Sequence, residues 1–189
     1  MFTGIIQTVA QVLKAQPQNG GLVLTIARPA HWVVKPGDSI AVNGVCLTAT
    51  AVTSRSFQVT LMEETLERST FGNAVLEKVN LERPLRPTDF LNGHIVQGHV
   101  DAVGKITNIQ ACDSSHVYTI QFPKKFSAFV VAKGSVAVDG ISLTVVAMGT
   151  NWFTVALIPY THQETMLGEK EIGNLVNLEF DIIAKYIKK

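Results

Sequence analysis

Apolar and polar residues alternate over short runs along this chain. Ser56-Phe57-Gln58-Val59-Thr60-Leu61 alternates with period two, the pattern of a strand with one face buried. Leu22-Val23-Leu24-Thr25-Ile26 and Val117-Tyr118-Thr119-Ile120-Gln121-Phe122 read the same way. Turn residues separate the runs: Pro36-Gly37-Asp38, Asn43-Gly44 and Asp139-Gly140. The last two, flanked by apolar residues, predict tight hairpins. Two short segments, 63–70 and 160–167, predict helices. Arg83-Pro84-Leu85-Arg86-Pro87-Thr88 predicts a linker, because its two prolines disfavour a regular element. Short strands at this spacing predict small closed barrels, which leave no sheet edge exposed.

The pattern occurs twice. Ser39-Ile40-Ala41-Val42-Asn43-Gly44-Val45-Cys46-Leu47-Thr48 matches Ser135-Val136-Ala137-Val138-Asp139-Gly140-Ile141-Ser142-Leu143-Thr144 at an offset of 96 residues. The same offset pairs Leu61 with Leu157, Thr65 with Thr161 and Gly72 with Gly168. Near the start the offset is 94, pairing Gly4 with Gly98 and Ile6 with Val100; near the end it is 97, pairing Val79-Asn80-Leu81-Glu82 with Val176-Asn177-Leu178-Glu179. A unit of this length given twice is a tandem domain pair and too long for a solenoid repeat. The expected fold is therefore all-β. Its expected divisions are a first barrel over 1–87, a second over 88–184, and the start of a C-terminal helix at 185–189.

Composition narrows the function. Of 189 residues, 47% are hydrophobic and 16% charged, which suits packed cores and not a disordered chain. A formal charge of +1 gives no broad attraction to nucleic acid or to an anionic membrane. No apolar stretch is long enough to span a bilayer. Residues 1–7 lack the basic region and apolar core of a secretion signal. Two cysteines, Cys46 and Cys112, make no disulfide framework, so a reducing, cytoplasmic setting is expected.

Two similar domains suggest two similar ligands, or one ligand with near-twofold symmetry. Thr48 and Thr144 follow the hairpins, and Thr65 and Thr161 fall at the starts of the predicted helices. A threonine hydroxyl there either caps the helix or offers a donor and an acceptor to a flat heterocycle. The differences between the units say more. Ile5 in the first answers to His99 in the second, and Cys46 answers to Ser142. An imidazole and a thiol can move protons near neutral pH, though on spacing alone Cys46 reads as the small buried apolar residue that a free Cys usually is. His94 and His99 lie five apart, facing opposite sides if on one strand, and do not make a metal-ligand spacing. His31, His116 and His162 stand singly. No zinc pattern, phosphate-binding glycine loop or Gly-x-Ser-x-Gly elbow occurs, which disfavours nucleotide-dependent and serine-hydrolase chemistry.

Four segments together resemble a known family. They are Met1-Phe2-Thr3-Gly4-Ile5-Ile6, Val42-Asn43-Gly44-Val45-Cys46-Leu47-Thr48, Gly93-His94-Ile95-Val96-Gln97-Gly98-His99-Val100-Asp101, and Lys133-Gly134 through Asp139-Gly140-Ile141-Ser142-Leu143-Thr144. Their order and spacing resemble riboflavin synthase of the alpha-chain type, over almost the whole chain. The resemblance implies two six-stranded Greek-key barrels followed by a C-terminal helix. It implies that two molecules of 6,7-dimethyl-8-ribityllumazine exchange a four-carbon unit, giving riboflavin and 5-amino-6-ribitylamino-pyrimidinedione, with no metal or redox cofactor. It also implies a homotrimer with each active site between the N-terminal barrel of one subunit and the C-terminal barrel of another. The family's joining helix runs further than Ile182-Ile183-Ala184-Lys185-Tyr186-Ile187-Lys188-Lys189, which counts against that assembly.

By the same resemblance, Ser39 and His99 handle protons across the subunit boundary, with Cys46 near the acceptor. The implied pocket segments of the first barrel are Gly4-Ile5-Ile6, Cys46-Leu47-Thr48 and Thr60-Leu61-Met62-Glu63-Glu64-Thr65. Those of the second are Gly98-His99-Val100, Lys133, Ser142-Leu143-Thr144 and Ile158-Pro159-Tyr160-Thr161-His162-Gln163. Matching the family motif lifts Lys133 and Asp139 above a surface charge and a turn former. The main alternative is a non-catalytic lumazine or flavin antenna protein, which binds through one barrel and lacks the catalytic set. An oligonucleotide-binding barrel fails on the neutral charge.

Overall fold

In the computed structural model, which describes residues 1–18, 20–73, 76–112 and 115–187, the chain forms two closed antiparallel barrels. The first contains β1 (Thr8–Gln18), β2 (Gly21–Ala27), β3 (Ser39–Val42), β4 (Val45–Val52), β5 (Ser56–Leu61) and β6 (Lys78–Glu82). Their order around the barrel is β1-β2-β5-β4-β3-β6, a Greek key. The second contains β7 (Ala102–Cys112), β8 (Ser115–Gln121), β9 (Ser135–Val138), β10 (Ile141–Met148), β11 (Trp152–Leu157) and β12 (Leu175–Phe180) in the same circular order. Even the irregularities repeat. The register shifts between Val12 and Lys14 and between Ala49 and Ala51, and again between Ile106 and Asn108 and between Val145 and Ala147. Such bulges sharpen the bend a short strand needs to close a small barrel.

Alternation fills each interior. Phe57, Val59 and Leu61 on β5 and Phe153, Val155 and Leu157 on β11 are wholly buried. The predicted hairpins join β3 to β4 and β9 to β10. Both residues of each turn have positive φ: 45° and 76° at Asn43-Gly44, 46° and 81° at Asp139-Gly140. That pairing matches the twist of the flanking strands.

The helices are shorter than the pattern predicts. They are α1 (Glu63–Arg68) and α2 (Pro159–Glu164), each followed by a 3₁₀ turn. Ser69 and Thr165, in extended backbone, end them. Their hydroxyls turn back onto the carbonyls of Thr65 and Thr161, at 2.5 Å and 2.7 Å. A last helix, α3 (Ile182–Ile187), follows β12 directly.

The barrels meet at a near-twofold axis. Phe2 and Val96 form a two-way backbone bridge, and pack with Ala41, Ala137 and the half-buried Cys46. The two hairpin tips touch: a Cβ on Gly44 would lie 2.6 Å from the Gly140 nitrogen. Around them a buried amide network crosses the boundary. The Asn80 side chain donates to the Asp139 carbonyl at 3.0 Å, and the Asn177 side chain to the Asn43 carbonyl at 2.9 Å.

Candidate functional site

The segments that open the two units change places. Gly98-His99-Val100 opens the second unit but lies on the first barrel. There the Cys46 amide on β4 donates to the Gly98 carbonyl at 2.9 Å. Gly4-Ile5-Ile6 opens the first unit, but Gly4 and Ile6 reach the second barrel, where the Ser142 amide on β10 donates to the Gly4 carbonyl at 2.7 Å and Ile6 packs against the core. The sequence grouping with their own barrels is thus reversed for Gly98-His99-Val100 and for Gly4 and Ile6, while Ile5 stays beside the first barrel. Residues equivalent by repeat stay equivalent; only the barrel they complete differs. Alignment shows the equivalence but carries no information on which barrel each segment reaches.

On the first barrel, Cys46, Glu64, Thr65, Gly98, His99 and Val100 share a cleft of about 270 Å³ with Arg68. Strand β4 presents Cys46 beside its hairpin, and α1 presents Glu64 and Thr65 at the end of β5. Glu64 pairs with Arg68 one helical turn on, at 3.1 Å. An imidazole, a thiol, a carboxylate and a hydroxyl thus border one cleft.

On the second barrel the corresponding position holds Ser142, whose Oγ lies 2.7 Å from Nδ1 of His94. His94 is buried, and desolvation pulls its imidazole below the ordinary histidine range, against a smaller upward pull from Asp181. A buried neutral imidazole beside a serine hydroxyl can exchange a proton with it. The spacing of five residues between His94 and His99 matches no motif, so the sequence does not single His94 out. The 91–101 stretch is not a strand either. It delivers His94 to Ser142 and His99 to the Cys46 cleft.

Ser39 lies elsewhere. On β3, opposite Thr48, it lines a larger cavity of about 740 Å³ together with Ile5, Val33, Arg83 and Phe90. One chain therefore keeps Ser39 and His99 in separate cavities. Leu47, Leu61 and Leu143 turn into the barrel cores, so they offer a ligand only their backbone. Thr48, Thr60, Met62, Glu63, Thr144, Ile158, Pro159, Tyr160 and Gln163 are exposed, and Ile6, Thr161 and His162 half-buried. Lys133 is exposed in a left-handed turn, φ 66°, its amide donating to the Val145 carbonyl. Neither Thr65 nor Thr161 caps a helix, because Met62 and Ile158 occupy the cap positions without a side-chain bond. Two histidines expected to stand alone do not. His116, on β8, stacks on His162 of α2 with ring centroids 4.0 Å apart.

The lumazine binding domain model matches residues 3–84 and again 97–181. The chain belongs to the riboflavin synthase family. It is 44% identical over its whole length to riboflavin synthase of Actinobacillus pleuropneumoniae, covering 89% of that protein. It is 45% identical to that of Mycobacterium tuberculosis, again over its whole length and 97% of the relative. With riboflavin synthase of Bacillus subtilis it shares 39% identity over 99% of this chain and 88% of that one. Among solved structures, LumP complexed with riboflavin superposes with a TM-score of 0.87 at 23% identity, over 95% of this chain and 99% of LumP. At that identity the likeness is one of fold. Membership in the riboflavin synthase family makes the chain an enzyme of the transferase class. No helix among the described residues is long and apolar enough to cross a membrane.

Proposed function

We propose that the chain converts two molecules of 6,7-dimethyl-8-ribityllumazine into riboflavin and 5-amino-6-ribitylamino-pyrimidinedione. One molecule gives up a four-carbon unit and the other gains it, so the atoms balance without a redox partner. The observation that carries the reading is one pair of equivalent positions with unlike chemistry, Cys46 on the first barrel and Ser142 on the second. His99 borders the cleft of the first, and His94 bonds the second. Like sites suit like molecules, and unlike side chains suit opposite fates.

The C7 methyl of the lumazine is acidic because its anion delocalises into the ring. A base removes that proton, and a nucleophile activates the partner molecule. Holding two rings face to face supplies much of the rate by proximity and orientation. Ser39 and His99 line separate cavities of one chain, so their cooperation requires a second copy. We take the sites to form between unlike barrels of neighbouring copies of the chain, acting in the cytoplasm.

The test is incubation with the lumazine. One riboflavin should form for every two lumazines consumed, followed by its yellow-green fluorescence. Tight one-to-one binding without turnover would assign the chain to the antenna proteins instead.

A further inference from the structure

Glu82 and Glu179 end the repeated Val-Asn-Leu-Glu segment, on β6 and β12. Both are buried, at 3% and 4% exposure. Each is used on the backbone of a crossing segment. Glu82 accepts the Thr3 N–H at 2.7 Å, the Thr3 hydroxyl at 2.7 Å and the Gly4 N–H at 3.0 Å. Glu179 accepts the N–H groups of Gln97, Gly98 and His99 at 2.7, 2.8 and 3.0 Å. Burial pushes both carboxyls above the usual range; the Thr3 N–H and hydroxyl and the Gly4 N–H pull Glu82 back, and the N–H groups of Gln97 and Gly98 with Lys185 pull Glu179 back, while Asp101 raises it.

The crossing segments contain no named strand or helix, so their N–H groups must find partners elsewhere. A carboxylate has two oxygens with several lone pairs and can fix three donors at once. Beyond His99 there is a second staple. Asp101 accepts the Phe180 N–H at 2.8 Å and pairs with Lys185 of α3 at 2.6 Å. At the equivalent place in the first unit, the Gln7 side-chain oxygen accepts from the Arg83 N–H and Nε at 3.2 and 3.1 Å. A charged staple thus holds the segment with the imidazole, and a neutral one holds the segment with Ile5.

We propose that Glu179 is the positioning residue for His99. Its carboxylate fixes where the crossing segment delivers the imidazole to the first barrel. The proposal rests on the lumazine-dismutating reading above. In Glu179→Gln, one acceptor oxygen becomes an NH₂ donor facing an N–H donor, so the segment must shift.

The test compares Glu179→Gln, Glu179→Asp and Glu82→Gln in the full chain. In Glu179→Gln, kcat should fall about 100-fold, the scale of a small misplacement of a reacting group, with lumazine KM near the wild-type value. Glu179→Asp keeps the charge and should recover part of kcat. Independently of activity, the His99 imidazole signal in an NMR spectrum, assigned with His99→Ala, should move in Glu179→Gln and stay in Glu82→Gln. If the unmodified chain forms no riboflavin, the dismutase reading fails while the His99 signal still tests the staple. An unchanged kcat and His99 signal in folded Glu179→Gln would overturn the proposal. So would a His99 signal that moves equally in both glutamine variants. Should Glu179→Gln not fold, unchanged kcat and signal in Glu179→Asp would overturn it likewise.

Discussion

The Cys46 amide donates to the Gly98 carbonyl at 2.9 Å, so a glycine of the second unit sets the thiol of the first barrel. Gly98 has φ 81°, and a Cβ there would lie 2.6 Å from the Cys46 Cβ. Gly98→Ala therefore combines left-handed strain with overlap at the site. It should lower stability by about 2–4 kcal/mol in urea unfolding, and weaken lumazine binding to the first barrel. Gly4→Ala meets Ser142 in the same geometry and should affect the second barrel. Wild-type stability and two intact lumazine sites in both variants would show the crossing to be dispensable.

His99 is exposed at the rim of the cleft that Cys46 lines. Its side chain supports no core, so His99→Ala should fold normally. Removing a proton-transfer group should slow turnover by about 10²- to 10⁴-fold while lumazine binding stays largely intact. Riboflavin fluorescence gives the rate and equilibrium titration gives the affinity. Normal turnover in His99→Ala would strip the residue of its role.

Features carried by local chemistry were legible before any coordinates. Asn43-Gly44 and Asp139-Gly140 form their hairpins because both turn positions need positive φ. The duplication announced two barrels because each copy repeats the same apolar alternation. The crossing of Gly4 and Gly98 was not legible, since a near-twofold axis relates equivalent residues without saying which barrel each reaches. The Ser142–His94 contact escaped for a related reason: His94 precedes the aligned start of the second unit and has no counterpart in the first. Glu82 and Glu179 did carry a signal, an acid kept in both copies beside an apolar strand. Its meaning depends on N–H groups some eighty positions away in sequence.

The buried histidine gives stability a pH dependence of definite sign. Burial lowers the folded-state pKa of His94 below its ordinary value of 6.5. Between the two values the unfolded chain holds more protons, so stability rises with pH there and levels off above 6.5. Conversely, this contribution is lost as pH falls from 6.5 through the folded value. His162 acts in the same direction, through burial and the neighbouring His116. The raised carboxyls of Glu82, Glu179 and Asp139 act oppositely, from the lower pH at which a free carboxyl ionises. The wild-type minus His94→Asn difference in Tm should therefore grow from acid pH up to 6.5 and then stay level. A difference independent of pH would mean that His94 is not held neutral in the fold.

Asn43 and Asp139 occupy equivalent hairpin tips, yet only one of them carries a charge. Asn43 accepts the Asn80 N–H and Asp139 accepts the Asn177 N–H, both at 2.7 Å. The second oxygen of Asp139, wholly buried, faces Lys170 at 3.2 Å, and Lys170 also donates to the Leu175 carbonyl at 2.6 Å. Lys170→Met leaves a buried carboxylate without its cation and should cost about 3–5 kcal/mol. Asp139→Asn alone removes the attraction that holds the ammonium in place. The first hairpin shows that an amide fits this position, so the double variant should recover much of the loss, with a coupling of about 1–3 kcal/mol. Urea unfolding of the four proteins closes the cycle. Strictly additive losses would mean that the two side chains are not energetically coupled.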